Sequence, residues 1–208
     1  MSFKLIDTSP VRHKISILRS AATTTKVFRE LAGELAQILC YEALRDAPLK
    51  LYEVTSPICA TTGYALDEND YVFLPILRAG LGLVDGLLKF MPNARLGHIG
   101  LYRDEATLKP VKYYYKVPSE IENKHVFILD PMLATAGSAL AAIEILREQG
   151  VKQISMICLF AAPEGVKKLE EQYPDVTVYA ASLDERLNEN GYIVPGCGDA
   201  GDRLWGTK

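Results

Sequence analysis

The sequence predicts an α/β fold with a Rossmann-like parallel sheet, an N-terminal helical segment and an irregular C-terminal region. Apolar strand-like runs alternate with helix-like segments between residues 71 and 181, which is typical of right-handed βαβ units. Val126-Phe127-Ile128-Leu129 is a continuous apolar run of the kind that a parallel sheet buries on both faces. Five glycines fall between residues 187 and 208, so we expect little regular structure there.

Length and composition agree with a single globular domain spanning residues 1–208. The 208 residues are 49% apolar and 24% charged, enough for a full hydrophobic core. A net charge of −3 argues against a nucleic-acid partner, and the lack of an 18-residue apolar run argues against a membrane span. The four cysteines form no CxxC pair and the three histidines are scattered, so no zinc site is indicated. With no apolar signal core at residues 1–7, we expect a reduced, cytoplasmic protein.

The first half of the chain contains one clear helix and one clear strand. Residues 1–24 are mixed and polar, whereas apolar residues recur at helical spacing between Phe28 and Leu39. Residues 46–70 predict short strands and turns in an order that the pattern does not give. Tyr71-Val72-Phe73-Leu74 predicts a buried strand, and residues 80–90 a loop that opens into a helix.

The second half repeats the strand–helix alternation. A short strand is predicted at 96–102, and the polar, tyrosine-rich segment 103–118 is predicted to be a mobile loop. Beyond the strand at 126–129, helices are predicted at 139–149 and 164–172, and strands at 154–160 and 176–181.

The segment Asp130-Pro131-Met132-Leu133-Ala134-Thr135-Ala136-Gly137-Ser138 is a candidate phosphate-binding loop. It follows a buried strand and leads into a helix, whose first backbone N–H groups are unpaired and favour an anion. Thr135 and Ser138 could add hydroxyl donors, and Asp130 could accept hydrogen bonds from ribose hydroxyls. The alternative is that Ser138 only caps the helix and Asp130 only ends the strand.

Two further polar clusters follow predicted strands. Arg78 stands beside the small-residue turn Ala79-Gly80, where an oxyanion could approach the backbone closely, although a solvated arginine is about as frequent in such a place. Arg103 begins a basic, aromatic segment that suits a lid over a polyphosphate better than a nucleic-acid platform.

Common nucleotide motifs are missing or incomplete. No Gly-Lys-Ser/Thr occurs, which excludes the usual P-loop. Gly80-Leu81-Gly82-Leu83-Val84-Asp85-Gly86 places its third glycine one residue too far for a dinucleotide fingerprint.

Three long motifs together resemble the uracil phosphoribosyltransferase family, and the resemblance extends from about Arg12 to Lys208. The motifs are the 130–138 segment, Pro75-Ile76-Leu77-Arg78-Ala79-Gly80-Leu81-Gly82, and the tail from Gly191 to Arg203. The resemblance implies a phosphoribosyltransferase core at about 70–182, with a base-binding hood formed by about 183–208 and N-terminal elements. It also implies transfer of ribose 5-phosphate from 5-phosphoribosyl 1-diphosphate to N1 of uracil, giving UMP and diphosphate in pyrimidine salvage.

The resemblance assigns roles residue by residue. Residues 130–138 would hold the ribose and the 5′-phosphate, and Arg78 and Arg103 the diphosphate. Ile193, Gly198, Asp199 and Ala200 would bind uracil, with Asp199 also near the sugar donor. The implied catalytic residues are Asp130, Asp199 and Arg103.

Mg²⁺ is the implied cofactor, and since it often binds through substrate oxygens and water, no protein ligand is assigned to it. The family further implies a homodimer or larger homo-oligomer and, in some members, allosteric activation by GTP. Two alternatives stay open: a phosphoribosyltransferase for another base, and a non-catalytic sensor that binds RNA through residues 103–116.

The phosphate loop departs from the family pattern at Ala136, where a second glycine is usual. Because a left-handed alanine costs on the order of 1 kcal/mol, we expect Ala136 at negative φ and Gly137 in any left-handed position.

Overall fold

A computed structural model of the protein describes residues 2–103 and 110–207. The strands are β1 (Ser2–Leu5), β2 (Lys50–Thr55), β3 (Ala60–Ala65), β4 (Tyr71–Leu77), β5 (Arg95–Leu96), β6 (His98–Arg103), β7 (Pro110–Lys116), β8 (His125–Leu129), β9 (Met132–Leu133), β10 (Gln153–Ala161), β11 (Thr177–Leu183), β12 (Arg186–Leu187) and β13 (Ile193–Val194). The α-helices are α1 (Ser9–Arg19), α2 (Thr25–Ala43), α3 (Leu81–Phe90), α4 (Gly137–Glu148), α5 (Pro163–Gln172) and α6 (Ala200–Trp205), with short 3₁₀ helices at Glu68–Asp70 and Ile121–Asn123.

The central sheet has the order β1-β11-β10-β8-β4-β6-β7, with β5 beside β4 and β9 beside β10. Every pair in it is parallel except β6 with β7. The predicted α/β fold with a parallel sheet is therefore confirmed.

The sheet is buried on both faces because its apolar strands supply side chains to two separate cores. Along β8, Phe127 and Leu129 pack into the core formed with α1, α2, α3 and α6. Val126 and Ile128, which alternate with them, pack into the core formed with α4 and α5. This period-two division explains why the strand reads as an unbroken apolar run.

The predicted elements in the middle of the chain are confirmed within a few residues, and two segments differ. Residues 1–24 hold β1, which pairs with β11 at the sheet edge, and α1. The loop predicted at 103–118 contains a strand, since β7 pairs with β6 and the ring of Tyr113 lies over Gly100, where a Cβ would be 2.5 Å from the ring. Residues 104–109 of that prediction lie outside the described residues.

The hairpin formed by β2 and β3 lies outside the central sheet. It fills the segment in which short strands and turns were predicted, and most of its side chains are exposed. In the part of the chain that the structure describes, no helix has the length and apolar character to cross a membrane.

Helices α2 and α3 approach each other through two glycines. A Cβ added to Gly86 would lie 2.1 Å from the backbone oxygen of Gly33, whereas a Cβ added to Gly33 would meet only backbone atoms of Gly86 at 3.6 Å. Both glycines lie within helices, but only position 33 has room for a larger side chain. The close approach sets α3 against α2, and α3 begins directly after the turn at residues 78–80.

We expect Gly86→Ala to lower the free energy of unfolding by about 2–3 kcal/mol, because the methyl group would overlap a backbone atom that cannot move alone. The matched control, Gly33→Ala, should be neutral or stabilising by up to about 1 kcal/mol, since alanine favours a helix interior. Urea denaturation of both variants measures this. Equal destabilisation of the two would contradict the packing described.

Candidate active site

Two polar loops meet at the carboxyl edge of the sheet because their strands are parallel neighbours. β4 ends at Leu77 and β8 at Leu129, and the two strands pair from Tyr71 to Pro75. A Cβ on Gly80 would lie 2.3 Å from the backbone oxygen of Leu129, so only glycine allows the 78–80 turn to come so close to β8. The carboxyl edge of a parallel sheet is where ligands of such folds bind.

The 130–138 loop is held by backbone contacts with β10. The oxygen of Pro131 accepts hydrogen bonds from the N–H groups of Leu159 and Phe160, both at 3.0 Å. On the other side, α5 supports the loop so closely that a Cβ on Gly165 would lie 2.2 Å from the oxygen of Ala134. Thr135 and Ser138 remain exposed at the start of α4. The loop is thus a fixed frame with two exposed hydroxyls at a helix N-terminus.

The carboxyl of Asp130, directly after β8, has a strongly raised pKa. Burial of its carboxyl raises its pKa from 3.8 to about 7, and the negative charge of Asp199 also raises it. A hydrogen bond from the N–H of Met132, 3.1 Å from Oδ1, works in the opposite direction. Burial is the main cause of the raised pKa of Asp130, and the nearby carboxylate of Asp199 adds to it.

The prediction for Ala136 is wrong. Ala136 has φ +63° and precedes the first residue of α4, whereas Gly137 is that first helical residue and has no positive φ. The left-handed alanine costs on the order of 1 kcal/mol, but its methyl group is buried in the core under α4. Burying a methyl contributes about 0.8 kcal/mol, so the two effects nearly cancel and glycine is not required.

The glycine-rich tail is more ordered than predicted and lies over both loops. β12 and β13 form a small antiparallel pair that contains the buried Ile193, and α6 begins after Asp199. The carboxyl of Asp199 caps this helix, accepting a hydrogen bond from the N–H of Asp202 at 2.8 Å. At Gly198, which has φ +78°, a Cβ would have no atom within 4 Å, so its surroundings are open.

Three contacts place the tail relative to the loops. The sulfur of Cys197 lies 3.8 Å from that of Met132. The Cβ position of Gly191 is 3.7 Å from Thr135 Cγ2, and that of Gly201 is 3.7 Å from the Cβ of Ala79. The tail, the 130–138 loop and the 78–80 turn therefore enclose one site.

The structure thus brings the predicted site residues together, with the exception of Arg103, whose side chain is not described. Arg78 is exposed beside the turn, and Ile193, Gly198, Asp199 and Ala200 lie in the tail above the loop. Arg103 is the last residue of β6, two strands from β8 at the same edge, but its side chain lies outside the described part of the structure.

The sequence did not reveal three side chains that hold the tail in place. Arg203 donates hydrogen bonds to the oxygens of Cys197 (2.9 Å) and Ser20 (2.6 Å), and its guanidinium lies 4.5 Å from the ring centre of Phe28. Arg19 and Asp184 form an ion pair at 2.5 Å beside the tail. Arg203 and Ser20, like Arg19 and Asp184, are so far apart in sequence that only the fold shows these contacts.

Known proteins resemble this chain over its full length. The profile of the uracil phosphoribosyltransferase family matches residues 5–207. Uracil phosphoribosyltransferase from Streptococcus thermophilus is 54% identical over 206 residues, and that from Lactiplantibacillus plantarum 52%, each alignment covering 99% of both chains.

Solved structures agree in fold. A protein from Aquifex aeolicus superposes with a TM-score of 0.90 at 41% identity, covering 98% of this chain and 97% of its own. A hypoxanthine-guanine phosphoribosyltransferase from Bacillus anthracis gives a TM-score of 0.52 at 14% identity, covering 77% of this chain and 80% of its own, which is a likeness of fold alone. On the full-length profile match and these relatives, the chain belongs to the uracil phosphoribosyltransferase family.

Proposed function

We propose that this protein transfers ribose 5-phosphate from 5-phosphoribosyl 1-diphosphate to N1 of uracil, forming UMP and diphosphate in pyrimidine salvage. The bond between C1′ and the diphosphate oxygen breaks, a bond between C1′ and N1 forms, and the proton of N1 is released; diphosphate is the leaving group. The observation that carries the proposal is the closure of the glycine-rich tail over the 130–138 loop, seen in the 3.8 Å contact between Cys197 and Met132. This closure supports the proposal because a cleft lined by backbone groups, which would suit a base, then lies beside a helix N-terminus that would favour an anion.

The 130–138 loop is the proposed site of the ribose and the 5′-phosphate. The N–H groups at the start of α4 and the exposed hydroxyls of Thr135 and Ser138 would donate to the phosphate. Asp130, in its ionised form, would accept hydrogen bonds from the ribose hydroxyls and stabilise positive charge as C1′ gains oxocarbenium character. Pro131, Met132, Leu133, Ala134, Ala136 and Gly137 would supply the fixed backbone of this site.

Arg78 and Arg103 are proposed to bind the diphosphate. Both follow or end strands at the carboxyl edge of the sheet, where the leaving group would emerge. Two guanidinium groups can neutralise the charge that develops on it.

Uracil is proposed to bind along the tail, against Ile193 on one side and Gly198, Asp199 and Ala200 on the other. Its O2, N3–H and O4 edge presents an acceptor, a donor and an acceptor, which backbone groups can match. Cytosine reverses the pattern at N3 and C4, and an unmade buried hydrogen bond costs about 1–3 kcal/mol. Asp199 is proposed to act near N1 through its charge and position.

Mg²⁺ is the proposed cofactor. Among residues 2–103 and 110–207, no group of three or more His, Cys, Asp or Glu side chains could enclose a metal ion. The donor set of this edge, carboxylates and hydroxyls, suits a hard cation that keeps its waters and binds substrate oxygens. When bound, Mg²⁺ would neutralise charge on the leaving diphosphate.

Further properties are proposed on the family resemblance. Core residues at about 70–182 and a hood at about 183–208 with N-terminal elements would form one domain, and GTP is proposed as an allosteric activator.

A cytoplasmic location is also proposed. The four cysteines are free thiols, which accords with a reducing cytoplasm.

A homodimer or larger homo-oligomer is proposed, and the β2–β3 hairpin supports it. Leu51 stands opposite Tyr64 on one face of the hairpin, with exposed fractions of 68% and 66%, and Ile58 in the turn is 94% exposed. An isolated two-stranded hairpin is marginally stable in water, so these side chains favour burial against a second copy of the chain.

The function is tested by incubating the protein with labelled uracil, 5-phosphoribosyl 1-diphosphate and Mg²⁺ and measuring UMP. We expect UMP and diphosphate in equal amounts, and kcat/KM for uracil at least tenfold above that for cytosine, hypoxanthine or guanine. Faster turnover of another base would favour the alternative of a related phosphoribosyltransferase. Binding of the donor without turnover of any base would favour a sensor.

Asp130→Asn should lower kcat/KM for the donor by about 100-fold or more, because a neutral amide cannot stabilise positive charge on the sugar or orient it equally well. In the wild-type protein kcat/KM for the donor should rise with pH through about 7, as Asp130 ionises. Measured pH profiles of the two proteins test this, with the exposed Asp85→Asn as control at wild-type activity. An unchanged rate in the Asp130→Asn variant would contradict the role.

Ionisation of Asp130 should lower the stability of the folded protein, although it is expected to raise the activity. Because its folded pKa lies above its ordinary value, the folded protein holds an extra proton between about pH 4 and pH 7. The stabilisation of the folded state by this proton is complete below about pH 4 and is lost as pH rises through about 7. The variant Asp130→Asn should therefore gain stability relative to wild type between pH 5 and pH 8 in urea denaturation.

Charges on the exposed face of the hairpin should dissociate the oligomer. Leu51→Asp with Tyr64→Asp should shift the molar mass measured by light scattering from a multiple of 23.0 kDa to 23.0 kDa. The control Lys167→Asp, on the exposed surface of α5, should leave the mass unchanged. A wild-type protein that is already monomeric would refute the proposal.

A further inference from the structure

Asp184 directly follows β11 and is enclosed by hydrogen-bond donors. Its fully buried carboxylate accepts from Arg19 at 2.5 and 2.7 Å, from the hydroxyl of Ser182 at 2.7 Å and from the N–H of Gly196 at 2.7 Å. Burial alone would raise its pKa, but these hydrogen bonds together hold the pKa of Asp184 below its usual value of 3.8. The carboxylate therefore stays ionised at neutral pH and holds its partners by charge-assisted hydrogen bonds.

Arg19, the last residue of α1, completes the arrangement. Its Nη1 atom also donates to the oxygen of Gly196 at 2.8 Å, and its guanidinium lies 5.0 Å from the ring centre of Phe160. Both backbone polar groups of Gly196 are therefore occupied, the N–H by Asp184 and the oxygen by Arg19.

Gly196 lies between the two proposed walls of the base pocket. It has φ +59°, and a Cβ there would be 2.1 Å from the oxygen of Ile193, so the chain turns back on itself at this point. Ile193 precedes the turn, and the segment from Gly198 to Ala200 follows it. The position of Gly196 therefore sets the spacing of the groups that would contact the base on either side.

We infer that Arg19 and Asp184 are positioning residues for the uracil pocket, acting through the backbone of Gly196. Replacing a buried ion pair by apolar groups is often neutral for stability, so the pair is better explained by the geometry that it imposes. The sugar donor is proposed to bind the 130–138 loop, where residues 131–133 are held by hydrogen bonds and strand pairing with the backbone of β10, in which the side chains of Arg19 and Asp184 take no part. The inference rests on the proposed placement of uracil along the tail.

The test measures KM for uracil, KM for the donor and kcat in Asp184→Asn and Arg19→Met, with melting temperatures recorded alongside. We expect KM for uracil to rise at least tenfold in each variant, with KM for the donor within threefold of wild type. Since the two residues act as one unit, the double variant should be within threefold of the worse single variant. The control is Asp7→Asn, which removes an exposed ion pair with Arg12 near the start of the same helix and should change neither KM.

Arg19→Lys provides a milder variant should Asp184→Asn fail to fold. It keeps the positive charge but loses the two-pronged geometry, so KM for uracil should rise to an intermediate value. A folded variant with KM for uracil within twofold of wild type, or with both KM values raised equally, would overturn the inference. Wild-type protein assayed in the same series separates this outcome from a failure of the proposed function, in which no UMP would form.

Discussion

The common direction of β4, β8 and β10 is the constraint on which the rest of the structure depends. Because these strands are parallel and adjacent, the segments that leave them emerge at one edge of the sheet. Gly80 then allows the turn after β4 to touch the end of β8, and β9, which lies within the 130–138 loop, pairs with the end of β10. The 130–138 loop, the 78–80 turn and the tail meet because of the direction of the strands and because glycine at position 80 leaves room for the turn.

The sequence was sufficient to predict those strands whose side chains are buried on both faces of the sheet. β4, β8 and β10 lie between two cores, so their sequences are almost entirely apolar and could be recognised. β7 was missed because its tyrosines and lysines lie at the sheet edge and have the composition of a loop. β1 was missed because four residues, two of them polar, are too few to show a period.

The part of the candidate site formed by a contiguous motif, residues 130–138, could be predicted from the sequence. Backbone conformation and contacts between residues far apart in the chain could not. The left-handed Ala136 contradicts a rule that considers backbone strain alone, because burial of its methyl group offsets that strain. Arg19 and Asp184 are separated by 165 residues, and nothing in either local sequence pairs them. The raised pKa of Asp130 likewise arises from the fold, which buries its carboxyl and brings the carboxylate of Asp199 near it.

The bridge between the first helix and the tail also has a consequence for the order of folding. Arg203 donates a hydrogen bond to the backbone oxygen of Leu18, a contact that closes a loop of 185 residues. Long-range contacts of this kind form late, since the entropy of closing the loop opposes them until the intervening sheet exists. During synthesis on the ribosome, the sheet and the 130–138 loop can therefore assemble before the C-terminal tail closes over them. A ligand that binds only the closed form of the tail would then protect the newly folded chain against proteolysis by mass action.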